Sequence, residues 1–531
     1  MTSPVWRSPA TTPYAGRDVQ SLLAERARQF GDKPFLIWEP LSGEPLVWTY
    51  AQFDALASRL ALGLQRRGVA LGDFVLIHLE NCPEALIAWH ACARLGAVAV
   101  TTNTRSSPAE LAYFAQHSAP VAAITQPKFA ALVREAAKTA RLVIVTERDG
   151  DSTGEQGPGP DPAEAFSGYL DEDVAELVVP PADPWRPLSV QYTSGTTSRP
   201  KGVLWTNANG LWGAEVSARH EGLAAQDVHF VHLPLFHTNA QIYSVMASLW
   251  VGATVVLTPR FSASRFWDIS LRNRCTWSSM IPFCVKAIQS QPVPKDHAYR
   301  WWAPAVAMTP LEPHFGVKTM GWWGMTETVT HGILTGLHDV SPFRSIGRCA
   351  PEYEIAILRE DGTPCAEGET GELLIRGVPG LSLFHSYLHN PEATAAAFDA
   401  DGYMITGDRV TLGEGGHLFF ADRAKDMLKV GGENVAASEI EAVLAGVPGV
   451  AEAAVVAKPD PMLDEVPAAF IIAHPGVALE ALREAIFAAC KAALADFKQV
   501  REVHFVEEFP RATQEKVAKA ELKRRLMEGG A

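Results

Sequence analysis

The sequence predicts an α/β chain with largely parallel sheets, followed by a β-rich piece and a small α+β domain. Three observations carry this. Short apolar runs alternate with helical patterns, so that strand, helix and strand fit within ~30 residues, the length of a βαβ unit. The stretch Gly371–Gly377 (GELLIRG) reads as a strand outside that rhythm. After Arg423 the alternation restarts and continues for ~100 residues, enough for a small domain of its own.

Taken in order, Asp73–Leu79 (DFVLIHL) reads as a buried strand. Asn81-Cys-Pro-Glu then opens a helix, with Asn81 as cap and Pro83 in the first turn. Apolar residues continue to Leu95, Gly96 stops the helix, and Ala97–Val100 begins the next strand. The pattern recurs at Val121–Thr125, at Leu142–Thr146, and at Gln241–Leu257 as helix then strand. Arg148–Pro187 carries Gly-Pro-Gly-Pro, Pro-Pro-Ala-Asp-Pro and many acids, and reads as a surface connection. In the last part, Ser438–Leu444 and Ala478–Leu494 read as helices, Ala451–Val456 and Val503–Val506 as strands.

At 531 residues the chain is too long for one compact core at ~150 residues per domain. With 47% hydrophobic and 20% charged residues it has a globular balance, which excludes a disordered or fibrous chain. Net charge is −14, from 46 basic and 60 acidic residues, so coating nucleic acid is not its main work. Cys82, Cys92, Cys275, Cys284, Cys349, Cys365 and Cys490 are scattered, odd in number and form no Cys-x-x-Cys pair. That argues against a disulfide framework or zinc site and fits a reducing compartment. The N-terminal residues lack the apolar stretch of a signal peptide, and no run approaches the ~18 apolar residues of a membrane span. The expectation is a cytoplasmic protein.

The most informative stretch is Tyr192-Thr-Ser-Gly-Thr-Thr-Ser-Arg-Pro-Lys-Gly-Val203, with five Ser/Thr hydroxyls, two glycines and two cations in twelve positions. Small residues let backbone N–H groups approach an anion, hydroxyls donate hydrogen bonds, and Lys201 supplies charge. Composition alone fits an ordinary Ser/Thr/Gly loop equally well. It is not the GxxxxGK[ST] phosphate loop, because Lys201 precedes Gly202 and no Ser/Thr-led helix follows, which disfavours a kinase or P-loop NTPase.

This segment resembles the signature loop of the adenylate-forming superfamily of acyl-CoA synthetases, luciferases and nonribosomal peptide adenylation domains. Other stretches resemble the remaining motifs in order: Gly324-Met-Thr-Glu-Thr328 the adenine and magnesium motif, and Tyr403-Met-Ile-Thr-Gly-Asp408 the ribose motif. Asp422–Asn434 resembles the hinge and CoA segment, and Pro510–Lys516 the terminal lysine loop. The resemblance covers nearly the whole chain. It implies a large N-terminal adenylate- and acyl-binding domain (1–424) of αβαβα sheets with a β-barrel-like subdomain. It also implies a small mobile C-terminal α+β domain (425–531).

The resemblance implies roles residue by residue. Thr193, Ser194, Gly195, Thr196, Thr197 and Lys201 would cradle phosphate. Glu327 would hold Mg²⁺ and Thr326 would touch the α-phosphate of ATP. A hard cation needs oxygen ligands and keeps several waters, so one carboxylate suffices. Trp323 stands where relatives have Tyr, stacking on adenine beside Gly324. Asp408 would accept from both ribose hydroxyls, with Arg423 adding a ribose or phosphate contact. His237, in Leu233-Pro-Leu-Phe-His-Thr-Asn239, would lie with Asn239 at the carboxylate and CoA tunnel and hydrogen-bond the substrate oxygen. Lys516 would bridge substrate carboxylate and ATP oxygens during adenylation, where charge placement dominates. Lys425 would be the hinge. Its swing would remove Lys516 and present Gly431 and Gly432, whose lack of Cβ permits close approach, to the pantetheine of coenzyme A. In isolation each residue has a plainer reading: a surface Glu, a turn Asp, a core Trp or His, a tail lysine, a Gly-Gly β-turn.

Within the superfamily the closest resemblance is to carnitine/crotonobetaine-CoA ligases and neighbouring medium/long-chain acyl-CoA synthetases. It is carried by Thr196–Gly202, Phe384-His-Ser-Tyr-Leu-His-Asn-Pro-Glu-Ala-Thr394 and Gly432-Glu-Asn-Val435. Two departures stand out. The stretch from Ala303 to Gly321, which by resemblance lines the acyl pocket, is several residues shorter than in relatives, and Trp301-Trp-Ala-Pro-Ala-Val306 replaces a small-residue pattern. Trp302, Gly321 and Trp322 then become substrate contacts, and a bulky apolar acid is expected. The alternative is a tryptophan cage for a quaternary ammonium. Second, Glu515 stands where glycine normally precedes the lysine. Like charges ~4 Å apart repel by on the order of 4 kcal/mol at intermediate dielectric. Adenylation is therefore expected to be weakened, even to the point where only CoA transfer survives on an adenylate from a separate enzyme.

The main reading is an ATP- and CoA-dependent acid–thiol ligase, with monomer and homodimer both open. A luciferase-like oxygenase, a carrier-protein loader and a binding protein with a degenerate site are the competitors. No Ser-bearing carrier motif follows the small domain, which favours the stand-alone ligase.

Overall fold

The computed structural model describes residues 12–149, 160–170, 173–193, 200–423, 427–510, 517 and 519–528, the side chains of Asp422, Arg423 and Ala520 excepted. Two large sheets dominate. The first has seven strands in the spatial order Ser386–Tyr387, Lys201–Thr206, Pro187–Thr193, Val98–Thr101, Phe74–His78, Ala122–Thr125 and Leu142–Val145. From Pro187–Thr193 to the Leu142–Val145 edge its neighbours run parallel. The second has nine strands, parallel from Lys318–Trp323 through Trp301–Ala305, Trp277–Ser279, Val228–Val231 and Thr254–Leu257 to Pro34–Trp38.

Parallel strands need covering on both faces, so they read as continuous apolar runs. That is why Phe74–His78 and Val98–Thr101 were legible. One apolar cluster runs from Leu36 and Val255 through the helix Pro83–Leu95, buried at every position but Glu84, to Val75 and Ala99 of the other sheet. A second cluster packs the helices Pro108–Ser118 and Ala130–Ala136 on the outer face, around Leu76, Leu111 and Val133. Among the described residues no helix is long and apolar enough to cross a membrane.

Two local expectations are corrected. The cap position of Pro83–Leu95 is Cys82, with no side-chain cap. Asn81 instead donates to the carbonyls of Leu233 and Thr258 at 2.9 and 3.2 Å and accepts from the Leu235 amide at 2.8 Å. The carboxamide thereby holds the Leu233–His237 turn in place. The 148–187 connection, where described, is more than surface. Phe166 and Tyr169 are buried, and Tyr169 lies so close to Gly63 that a Cβ there would sit 2.7 Å from its carbonyl oxygen.

The β-rich piece is a four-stranded antiparallel sheet, Glu354–Leu358, Thr370–Arg376, Met404–Leu412 and Leu418–Arg423. The small C-terminal domain begins, as described, at Met427. Its five-stranded sheet carries the helices Ala437–Ala445 and Leu479–Ala493 on one face and Phe509 with Leu522 on the other.

Candidate active site

One cleft of about 1960 Å³ lies between the two large sheets' strand ends and the small domain. Thr193, Lys201, His237, Asn239, Trp322, Trp323, Gly324, Thr326, Glu327, Asp408, Gly431 and Gly432 all line it. Ser194, Gly195, Thr196, Thr197, Lys425, Glu515 and Lys516 lie outside the described residues, as does the side chain of Arg423, although its backbone pairs with Asp408.

The large-domain side is a set of interlocked buried groups. Asp408, 1% exposed, accepts from the Trp323 indole N–H at 2.7 Å. This couples the two residues expected separately at ribose and adenine. Glu327, 4% exposed, accepts from Tyr387 Oη at 2.9 Å. Tyr387 in turn lies under Lys201, whose ammonium is 4.6 Å from the ring centroid. Burial first, then the Glu327 charge, pushes the Tyr387 hydroxyl far above its ordinary range, so it stays a donor. The Thr326–Thr328 turn is pinned from behind by Trp205 Nε1 to the Thr326 carbonyl, the Phe384 amide to the Glu327 carbonyl and Tyr353 Oη to the Thr328 carbonyl. Gly324 must be glycine, because a Cβ would meet Tyr243 Oη at 2.5 Å and the Thr330 carbonyl oxygen at 2.8 Å.

Asn239 accepts from Ser279 Oγ at 2.5 Å and opens a π-helix, Asn239–Met246, where an ordinary helix was expected. Single-turn π segments inside helices recur at functional sites because the wider turn re-aims side chains. Trp322 is fixed by a parallel stack on His331, centroids 4.2 Å apart, and by an edge contact with Tyr243.

The small-domain side is a hairpin. Gly431 and Gly432 form the two-residue turn between Met427–Val430 and Glu433–Ala436, with φ of 57° and 88° that glycine adopts freely. A Cβ on Gly432 would sit 2.7 Å from Ile281 Cδ1 of the large domain. Next to it, Glu433 Oε2 lies 3.1 Å from His237 Nε2. Burial opposes both charges, but their mutual attraction and hydrogen bond prevail. His237 is held above the ordinary histidine range and Glu433 below the ordinary carboxylate range, with Arg105 and Lys498 adding to the latter.

Two predicted substrate contacts do not stand. Trp302 is fully buried, packed on Phe266, Trp267, Tyr299 and Phe315, and the cleft is lined instead from Ala305 onward, past a register shift between Trp302 and Ala305. Gly321 does not line the cleft either. Its missing side chain admits the Ser345 carbonyl, 2.1 Å from where a Cβ would be. Tyr387 and Glu433 went unassigned, although both stand inside stretches singled out for their resemblance. Arg105, Phe497 and Lys498, also on the cleft wall, gave no local signal.

A family model described as AMP-binding enzyme matches residues 23–388, and one described as AMP-binding enzyme C-terminal domain matches 439–516. The chain belongs to the AMP-binding enzyme family. Within the AMP-binding enzymes it is an acid–thiol ligase of the acyl-CoA synthetase kind. Crotonobetaine/carnitine–CoA ligase of Salmonella paratyphi A is 32% identical over 526 residues, covering 96% of this chain and 99% of that protein. A double mutant of o-succinylbenzoate CoA synthetase from Bacillus subtilis, bound to its CoA product analogue, superposes with a TM-score of 0.81 at 28% identity, covering 94% and 97% of the two chains. The same Bacillus protein in complex with AMP gives 0.67, covering 94% and 98%. An anthranilate CoA ligase bound to anthranoyl-AMP gives 0.70 at 25% identity, covering 98% and 99%.

Proposed function

We propose that this AMP-binding enzyme joins a bulky, largely apolar carboxylic acid to coenzyme A in two half-reactions, with the small domain (425–531) turning about Lys425 between them. The carrying observation is that Gly431, Gly432 and Glu433 of the small domain enter the same cleft as Asp408, Trp323 and Glu327 and meet His237 there. The higher similarity to the CoA-analogue complex than to the AMP complex of one relative supports reading this arrangement as the CoA-transfer state.

In this reading Trp323 and Asp408 hold adenine and ribose, while Thr193, Lys201 and Thr326, with residues 194–197, hold the phosphates. Glu327 fits Mg²⁺ as a buried hard oxygen donor. Among the described residues no group of three or more His, Cys, Asp and Glu side chains is arranged to hold a metal, so ATP oxygens and water would complete the shell. Mg²⁺, when bound, would offset charge on the phosphates. Lys516 would neutralise the carboxylate and α-phosphate as pyrophosphate leaves. In the second step the CoA thiol, its proton lost to solvent, attacks the acyl carbonyl. The bond from that carbon to the phosphate oxygen breaks and AMP leaves with the electron pair, while His237, held charged by Glu433, would hydrogen-bond the substrate oxygen. Trp322, Tyr243, Ala305, Val306 and Met308 form an apolar wall for the acyl group.

A second substrate reading, a betaine acid held by its quaternary ammonium over Trp322, is favoured by the Salmonella relative. Glu515 beside Lys516 would slow adenylation under either reading. Incubating a panel of aromatic, aliphatic and betaine acids with ATP and CoA, and separately their adenylates with CoA, tests all of this by mass spectrometry. Thioester from an acid or from its adenylate supports the ligase, and its absence throughout sinks it. Pyrophosphate release at an ordinary ligase rate would remove the Glu515 argument, and its increase on Glu515→Gly would support it.

A further inference from the structure

The two domains also meet away from the hairpin, at the mouth of the cleft. Glu110 is the third residue of the helix Pro108–Ser118 in the large domain. Its Oε2 accepts the Ser107 amide at 2.6 Å, while Ser107 Oγ accepts the Glu110 amide at 3.2 Å, a reciprocal cap. Both capping residues then reach into the small domain. Ser107 Oγ donates at 2.8 Å to the carbonyl of Ala493, the last residue of the helix Leu479–Ala493. This satisfies a helix-end acceptor that has no partner within its own helix. Glu110 Oε1 accepts from Lys498 Nζ, which donates its second hydrogen bond to Glu439 at 2.8 Å. Glu110, Lys498 and Glu439 are 8, 6 and 7% exposed. On the rim of the patch Arg105 donates to Asp496 at 2.8 Å and lies over the Phe497 ring.

An interface built once and never opened is better served by apolar packing, since a buried ion pair gives back much of its attraction as lost hydration. An interface that must open has the opposite need. Charged groups are rehydrated on separation, whereas exposed apolar faces are not. The triad is arranged for that. Lys498 keeps Glu439 as its partner within the small domain, and Glu110 keeps the Ser107 amide within the large one, so neither domain is left with a bare buried charge when they part.

We infer that Glu110, Lys498 and Glu439 form a releasable latch that selects the domain arrangement for CoA transfer, with Glu110 as a positioning residue for that step. Closing it brings residues 105–110 against 493–498 and seats the Gly431–Glu433 hairpin at His237. Opening it is required before the small domain can present its other face. This rests on the two-step reading above.

The test uses the full chain with Cys349 and Cys365 changed to Ser and nitroxide labels at Asp361→Cys and Glu484→Cys, one on each domain, read by pulsed electron paramagnetic resonance with CoA alone. Glu110→Gln keeps the helix cap but removes the charge across the interface. It is expected to move most molecules from the docked distance to a second one. With a thioester-forming adenylate from the panel, its CoA-transfer rate should fall roughly ten- to a hundredfold, the range for losing one charge-assisted bond, while pyrophosphate release from ATP is kept or rises. Lys498→Met should act likewise, and Lys498→Arg should restore most of the docked population. An unchanged distance distribution in both Glu110→Gln and Lys498→Met would overturn the latch, as would an equal fall in both half-reactions. The distances need no acid. A panel that yields no thioester therefore defeats the two-step reading, while the latch is still judged on its own.

Discussion

The two sides of the cleft are held together differently. On the large-domain side, Trp323 is bonded to Asp408 and Tyr387 to Glu327, within sheets that share one continuous apolar core. On the small-domain side, the ion pairs to the rest of the cleft include His237–Glu433, Glu110–Lys498 and Arg105–Asp496, beside the neutral contacts of Ser107 with Ala493 and of Gly432 with Ile281. The first side is a fixed mould and the second is a docked surface. The difference teaches where each half-reaction is vulnerable. A change in the mould should affect both steps, and a change in the docked surface should affect the CoA step alone.

The largest expected effect comes from breaking the mould. Asp408→Ala strands the buried Trp323 N–H and removes the acceptor proposed for ribose. Both half-reactions should fall by on the order of a hundredfold, and stability by about 1–3 kcal/mol, read by the two assays and by thermal unfolding. If only CoA transfer suffered, the division between the two sides would be wrong.

Gly432→Ala comes next. A Cβ at φ 88°, 2.7 Å from Ile281, pushes the hairpin off the large domain. Strain of this kind costs about 1–2 kcal/mol, so CoA transfer from the adenylate should drop roughly tenfold with pyrophosphate release unaltered. Equal loss in both would assign the glycine to folding instead.

A pH profile sharpens the comparison further. His237 is held above its ordinary range, so its share of docking is whole below ~6.5 and is lost as pH rises through the raised value. Glu433 is held below its ordinary range, so its share is whole above ~4.3 and is lost as pH falls through the depressed value. Docking through this pair is therefore strongest between those two pH values and fades on either side. The docked fraction measured against pH should show the alkaline decline, and Glu433→Gln should flatten it. The smallest effect belongs to Arg105→Ala. Its partner Asp496 is 67% exposed in its side chain, and such pairs contribute about 0–1 kcal/mol. CoA transfer should change less than roughly fivefold and lose that difference in high salt.

Much of the fold could be read locally. Phe74–His78, Leu142–Val145 and Leu479–Ala493 announce themselves by apolar runs or helical spacing and fall within a residue or so of expectation. The residues proposed for the nucleotide side could be singled out because short motifs hold them: Gly324 stands two positions before the Thr326–Thr328 turn that carries Thr326 and Glu327, and Asp408 lies in the strand Met404–Leu412. Their partners could not. Trp323 meets Asp408 across 85 positions, His237 meets Glu433 across 196, and Lys498 meets Glu110 across 388.

By itself, then, the amino-acid order determined which elements form and which short clusters carry chemistry, because periodicity and turn composition act over a few residues. Tertiary structure alone decided which way a side chain faces and what stands opposite it. Trp302 and Trp322 show the reason. Each sits in an apolar strand covered on both faces, so nothing in either strand's own residues says which face borders the cleft. Only the neighbouring sheet positions, supplied by remote parts of the chain, send one ring into the core and the other to the wall of the site.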